Sequence, residues 1–399
     1  MARKQRTTLF ATLLVAFLLC IGLLSACAQQ PQQSQQQGSS EKTTESSPAA
    51  SETPAAAETD PAKAFPSWNA NSESLKKLVD YVKDVTNKDS ANYVKPEERL
   101  ATFDMDGTLL CEKAPVYADY CLLLHRVFDD PTYNAPEEYK QLCEQLRANA
   151  DRGILDESLD QAKNETIVGS FKDMTPEDFQ AYVKNFIDTV DAKGFKGMTY
   201  GQSVYKPMAE VVDYLRANDF DVYVVSACER EVARAIAVSK LGVAPNHVIG
   251  TDWGVKATGQ NDEAPSKYTL TKDDKLVFDG TKSEEVGKLN KVVYIEREIG
   301  RRPLLAFGNS SGDYAMLNYA QNNPEHKGMG LLVLCDDVKR EYGDTERATK
   351  QAGEAKEAGW TTFSMANDWA TIYGDGVTKT ALPADAEQQA QTEQQAQAA

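Results

Sequence analysis

The chain has 399 residues, with 60 acidic against 43 basic side chains and a formal net charge of −17. That length is enough for more than one domain. The acidic balance argues against nucleic acid as a partner, because a phosphate backbone is bound by Lys and Arg.

Residues 1–26 read as a targeting segment. Arg3, Lys4 and Arg6 precede a mostly apolar run from Leu9 to Leu24. This is the layout of a signal peptide and is short for a membrane span. The run closes on Leu24-Ser25-Ala26-Cys27, which resembles the bacterial lipobox. That resemblance implies cleavage before Cys27, a lipid on its thiol, and a membrane as partner. A plain secretory signal and an uncleaved anchor are the other readings. All three place the remainder outside the cytoplasm, at the bacterial cell surface or in the periplasm. Residues 27–64 are rich in Gln, Ser, Glu, Ala and Pro and read as a disordered tether, since they cannot bury enough apolar surface to fold. Residues 381–399 have the same character.

From Phe65 to Tyr93 the spacing of Leu75, Leu78, Val79, Val82 and Val85 predicts a helix. Pro96 breaks the chain before a short apolar run, Leu100-Ala101-Thr102-Phe103, which reads as a buried strand. The run ends on Asp104-Met105-Asp106-Gly107-Thr108. In open α/β sheets ligands bind beyond the carboxyl ends of strands, so both carboxylates are expected at the rim of a crevice. There one can attack while the other handles a proton. Gly107 allows a sharp turn that leaves a backbone N–H free to face an anion. The plainer alternative is an ordinary Asx turn. An EF-hand calcium loop does not fit, because Thr108, Leu109 and Pro115 stand where such a loop needs an acid or Asn, Gly and Glu.

Residues 112–205 carry helical patterns at Tyr120 to Phe128, Glu138 to Leu146 and Phe179 to Val190. They lie between the aspartate strand and the next core strand, so an inserted helical cap over the crevice is expected. Such a lid excludes water and selects substrates. Glu112, Lys113 and Tyr117 follow the aspartates closely and are candidates to face a ligand, or else solvated surface. Lys206-Pro207-Met208 opens a further helix, and the strand Val222 to Val225 then leads into Ser226-Ala227-Cys228-Glu229. Ser226 sits at a strand's carboxyl end, as Asp104 does. Ser226-x-x-Glu229 also reads as a capping box, and a helix start with a hydroxyl is itself a phosphate site. Residues 246–280 suggest small strands. Gly287-Lys288-Leu289 begins a helix toward Ile295; Lys288 is a ligand candidate or a surface lysine. Gly280 to Lys288 fails as a P-loop on spacing and on the residue after the lysine. Pro303 to Phe307 is the next strand, running into Gly308-Asn309-Ser310-Ser311-Gly312-Asp313. There Asn309 reads otherwise as a turn residue and Asp313 as a helix cap.

Asp-x-Asp-Gly-Thr, Ser226, Lys288 and Gly-Asn-x-x-Gly-Asp, in that order on strand ends, resemble the haloacid dehalogenase (HAD) superfamily, in particular its phosphatases with a helical cap. Asp-x-Asp-Gly-Thr-Leu, Tyr-Lys-Pro-Met before Ser226, Phe-Gly-Asn-Ser and Gly-Trp-Thr look most like secreted phosphoserine-phosphatase-like and phosphorylcholine-phosphatase-like members. The fold implied is α/β, a Rossmann-like parallel core over residues 65–111 and 206–380 with the cap at 112–205. The resemblance implies a phosphatase acting on a small organic phosphate monoester. Asp104 would be the nucleophile that forms an aspartyl-phosphate, and Asp106 the general acid and base. Ser226 and Lys288 would bind the phosphoryl group. Asp104, Asp106, Asn309 and Asp313 would form a Mg²⁺ site, an oxygen-rich set of the kind that ion prefers. A surface lipoprotein that binds a phosphorylated ligand without turnover, and a phosphotransferase, are the alternatives. The chain departs from the family pattern at Asn309, where many members carry Asp. It departs again at Ala227-Cys228, where related secreted members often carry glycines, and at Leu110, where phosphorylcholine-phosphatase-like members often carry Trp.

There are seven cysteines. Cys20 falls in the signal and Cys27 is the lipidation candidate. Cys111, Cys121, Cys143, Cys228 and Cys335 remain. Cys121 and Cys143 can form a bridge within the cap outside the cytoplasm, or stay as buried thiols.

Overall fold

The computed structural model describes residues 60–381. The expected signal segment, Cys27, nearly all of the tether and nearly all of the tail lie outside the described residues. Among the described residues no helix is long and apolar enough to cross a membrane.

The first elements are α1 (Pro61–Ala64), α2 (Glu73–Thr86) and β1 (Leu100–Phe103). Then follow the inserted helices α3 (Ala118–Phe128), α4 (Glu137–Ala150), α5 (Asp160–Ser170) and α6 (Pro176–Thr189), and β2 (Phe195–Lys196). The chain continues through α7 (Lys206–Ala217), β3 (Asp221–Glu229), α8 (Arg230–Leu241), β4 (Val248–Thr251), β5 (Trp253–Ala257), β6 (Leu276–Lys282) and α9 (Leu289–Glu298). It closes with β7 (Leu305–Gly308), α10 (Tyr314–Gln321), β8 (Met329–Leu334), α11 (Thr345–Ala358), β9 (Thr361–Ser364), α12 (Met365–Asp368) and β10 (Thr378–Lys379). The last residues of the expected tether thus form α1, and Phe65 just after it is buried against Tyr214 and Trp68. Helix α2 starts where Ser72 accepts the N–H of Leu75, and buries Leu78, Val79, Val82 and Val85, the face its spacing predicts.

Six strands form a sheet in the order β4-β3-β1-β7-β8-β9, parallel throughout. Strands β1, β4 and β7 are buried along their whole length. That explains why they read as unbroken apolar runs: helices cover both faces of such a sheet. From β1 the chain goes outward through β3 and β4 on one side, and later through β7, β8 and β9 on the other. The order therefore reverses between β1 and β7, which opens a crevice at their carboxyl ends. Phe103 and Phe307 are register partners, and their rings stack with centroids 4.1 Å apart. The Asp104 N–H donates to the Phe307 carbonyl at 2.9 Å, so Asp104 and the loop that begins at Asn309 leave adjacent strands.

The chain leaves the core at Cys111 and returns at Tyr205 along a paired stalk. Leu110 and Val204 form an isolated bridge, the Cys111 N–H donates to the Ser203 carbonyl at 2.9 Å, and the Tyr205 N–H donates to that of Leu109 at 2.9 Å. Helices α3, α4 and α6 fall on the predicted patterns. Helix α5 was not legible, because its buried side includes Lys163, Thr166 and Ser170. The antiparallel pair β5–β6 joins these helices through Trp253, whose ring meets Phe179 at 5.0 Å and Phe171 at 6.1 Å.

The capping-box reading of Ser226 is not what forms. Strand β3 runs on through Glu229, whose own carboxylate accepts the Val232 N–H at 2.8 Å and caps α8. Ser226 Oγ instead accepts the N–H of Cys228 at 3.1 Å. Cys121 and Cys143 are buried free thiols.

Candidate active site

A cavity of about 440 Å³ lies beyond the ends of β1, β3 and β7 and under α3 and α5. Asp104, Asp106, Ser226, Lys288, Asn309 and Asp313 all line it, as do Glu112 and Tyr117. The residues singled out from sequence are therefore gathered in one place, although they come from segments far apart in the chain.

Asp104 is buried and each of its oxygens has a partner. Oδ1 accepts from Lys291 Nζ at 2.6 Å and Oδ2 from Thr108 Oγ1 at 3.0 Å. Lys291 Nζ also stands 2.7 Å from Asp313 Oδ1 and donates to the Val225 carbonyl at 2.7 Å. One ammonium thus ties Asp104, next after β1, to a carbonyl of β3 and to the loop after β7. Lys288, the phosphoryl-binding candidate from sequence, lines the cavity, but the ammonium fixed beside Asp104 is that of Lys291. Lys288 precedes the first turn of α9, at φ 53°, and is exposed at the cavity rim. One turn later Lys291 falls on the buried face of α9 together with Ile295. The signal available in the sequence was that i, i+4 pair on an otherwise exposed helix, where Leu289 and Val293 face outward.

Asp313 is buried, and its Oδ2 accepts the N–H groups of Asn309 and Ser310, each at 3.0 Å. With Oδ1 on Lys291, both of its oxygens are committed, so it fixes the loop after β7. The same loop is held from behind. Gln351 Nε2 donates to the Asn309 carbonyl at 2.7 Å. Arg347 pairs with Glu112 at 3.0 Å and reaches that carbonyl at 3.5 Å. Neither Arg347 nor Gln351 stood out in the sequence, where α11 shows only alternating charge.

Electrostatics separate the two aspartates. Burial, followed by the Asp313 charge, raises the Asp104 carboxyl to about 6, against the pull of Lys291 and Thr108. Burial, then the Asp104 charge, with smaller pushes from Asp119 and Glu112, holds Asp106 well above the ordinary carboxylate range. Burial works against the charge of Lys291, yet Asp104 and Asp313 outweigh it and its pKa stays above the usual lysine value. An ionised acid with a fixed ammonium, beside a second acid that keeps its proton, suits attack at one atom and proton donation at the next.

The oxygen donors of Asp104, Asp106 and Asn309 fit a hard divalent cation such as Mg²⁺. Asn309 is buried, and among the described residues its Nδ2 has no hydrogen-bond partner. A Cβ on Gly107 would lie 1.9 Å from that nitrogen, so the loop closes tightly over the amide. One group of this amide is thus left unsatisfied, and its oxygen is the atom a hard cation would take, since amide O and N are assigned from their partners.

The model of the haloacid dehalogenase-like hydrolases matches residues 101–318, which is more than half of the chain. The chain belongs to the haloacid dehalogenase-like hydrolases. No curated protein matches the sequence. Among solved structures, a Bordetella pertussis Tohama I protein of unknown function is 19% identical, over 67% of this chain and 98% of its own, with a TM-score of 0.42. A conserved, functionally unknown protein of Anaerococcus prevotii DSM 20548 is 14% identical over 75% of this chain and 95% of its own, at 0.47. A probable phosphoserine phosphatase from Vibrio cholerae is 11% identical over 73% and 67%, at 0.35.

In this haloacid dehalogenase-like hydrolase the far wall of the cavity comes from the inserted helices and the β5–β6 pair. Tyr117, Asp119, Tyr120, Lys163 and Trp253 lie there. Of these only Tyr117 is a candidate from sequence, because the others sit on segments whose spacing says helix or strand and nothing more. Cys228 also lines the cavity. Burial, with Asp106 nearby, raises its thiol well above the ordinary value, the opposite of an activated nucleophile.

Proposed function

We propose that this hydrolase is a phosphatase that removes the phosphoryl group from a small organic monoester. The observation that carries the reading is the bridge of Lys291 between Asp104 and Asp313, with Asp106 opening on the same cavity. Asp104 attacks phosphorus, the bond to the leaving oxygen breaks, and Asp106 gives its proton to the departing alcohol. The product on the protein is an aspartyl-phosphate. Asp106, now a base, takes a proton from water, the water oxygen attacks phosphorus, and the Asp104 carboxylate is released. Lys291 holds the nucleophile in place and offsets its charge. Ser226, lining the same cavity, is proposed to contact the phosphoryl oxygens. Mg²⁺ would be held by Asp104, Asp106 through its backbone carbonyl, and Asn309, and would neutralise phosphoryl charge when bound, with Asp313 ordering the loop that supplies Asn309.

The test is hydrolysis of p-nitrophenyl phosphate by residues 60–381 with added Mg²⁺, compared with Asp104→Asn. Loss of turnover in a variant that still melts cooperatively is expected. Unchanged turnover would sink the mechanism. Tight binding of a phosphate ester with no product over hours would instead favour a binding protein, and new esters formed in added alcohols would favour a transferase.

The lipid anchor belongs to the same proposal. The basic start, the apolar run and Leu24-Ser25-Ala26-Cys27 support cleavage before Cys27 and attachment to a membrane. Metabolic labelling with a tagged fatty acid should mark the wild-type chain; label retained by Cys27→Ser would exclude that site.

A further inference from the structure

The cavity wall formed by the inserted helices carries an ion pair that the proposed chemistry leaves unused. Lys163 on α5 pairs with Asp119 at the start of α3, and its Nζ lies 4.5 Å from the centroid of the Tyr120 ring. Asp119 also accepts the Tyr120 N–H at 2.8 Å, and the Tyr120 hydroxyl donates to Asp160 at 2.7 Å. Lys163 is only 7% exposed, and the area it does show opens into the cavity. An ammonium has three donors and a carboxylate about four acceptor positions. Lys163 uses one donor among the described residues, and Asp119 uses two positions. Each therefore keeps hydrogen-bonding capacity, and both line the cavity.

Lys163 is buried while Asp119 keeps 29% of its side chain exposed, and an ion pair so placed adds little to a fold's stability, so stability alone does not account for it. Asp119, Lys163 and Asp106 line one cavity, so the pair shares that space with the group that meets the leaving oxygen. Apolar Ile167, Val168 and Trp253 complete the same wall.

We propose that Lys163 and Asp119 read the leaving alcohol, and that the substrate is the monoester of an alcohol carrying a hydrogen-bond donor and an acceptor close to its ester oxygen. The inference rests on the phosphatase reading above. Opposite charges set side by side offer a donor to one ligand group and an acceptor to its neighbour. Vicinal hydroxyls of a polyol and the ammonium and carboxylate of an amino acid share that chemistry. A plain aryl or alkyl alcohol lacks it.

The experiment compares wild type, Lys163→Met and the double variant Lys163→Met/Asp119→Leu, each with Mg²⁺. The substrates are p-nitrophenyl phosphate, glycerol 3-phosphate, glucose 6-phosphate and O-phosphoserine. Wild type should favour at least one polar ester, and both variants should lower kcat/KM for that ester about tenfold or more relative to p-nitrophenyl phosphate. The ester that shifts identifies the source, polyol or amino acid. The double variant leaves neither charge unpaired and answers the question if the single variant does not fold. An unchanged ratio, or equal losses on every ester, overturns the inference and makes the pair a structural clamp. A wild type inactive on every ester defeats the phosphatase reading first, and this inference with it.

Discussion

Lys291 Nζ lies 2.6 Å from Asp104 Oδ1, although 187 positions separate them in the chain. The contact exists because α9 turns its buried face toward the end of β1. Removing the ammonium leaves Asp104 and Asp313 facing each other, buried and without their shared cation. Lys291→Ala is expected to lower turnover on p-nitrophenyl phosphate about a hundredfold or more. It should also reduce stability by about 3 kcal/mol, the scale for breaking a buried pair. Lys288→Ala, at the exposed rim, should cost far less on both counts. Paired assays and chemical melts of the two variants measure this, and equal losses would contradict the assignment of Lys291.

Gly107 and Asn309 give a second prediction. Gly107 has φ 80°, and an added Cβ would lie 1.9 Å from Asn309 Nδ2, 2.7 Å from its Cγ and 3.2 Å from Glu112 Cβ. Gly107→Ala must therefore push the amide away and adopt a left-handed backbone, at a cost of about 1–3 kcal/mol. Asn309 is the proposed cation donor, so the Mg²⁺ concentration for half-maximal activity should rise. Calorimetric Mg²⁺ binding checks the same point without turnover. A variant that binds Mg²⁺ like wild type would show that Asn309 does not hold the ion.

Glu341 sets a pH dependence away from the cavity. It is buried, accepts the Tyr342 N–H at 2.7 Å, and is contacted by the Tyr373 hydroxyl and the Cys111 thiol. Burial raises its carboxyl from 4.5 to about 7, the hydrogen bonds notwithstanding. The folded protein thus holds a proton that the unfolded chain has released. This contribution to stability is complete below about pH 4.5 and is lost as pH rises through 7, by about 3 kcal/mol in all. Glu341→Gln should therefore melt higher than wild type at pH 8, with the difference shrinking toward pH 5. A constant difference across that range would contradict the assignment.

Much of this was legible in the chain itself. The strands that carry Asp104 and Asn309 are apolar runs ended by turn residues, and runs of that kind bury in a parallel sheet wherever their partners lie. The order of Asp-x-Asp-Gly-Thr, Ser226 and Gly-Asn-x-x-Gly-Asp was enough to suggest one crevice. What the sequence did not hold was the direction each side chain takes. Lys288 and Lys291 differ by one helical turn, and only the packing of α9 decides which ammonium is buried between carboxylates. Helix α5 lacks an apolar stripe because part of its inner face looks into a polar cavity, so spacing alone could not find it or Lys163. Arg347 and Gln351 reach Asn309 from a helix that reads as charged surface. Local pattern is written residue by residue, whereas the meeting of distant side chains depends on how helices rotate and pack against the sheet.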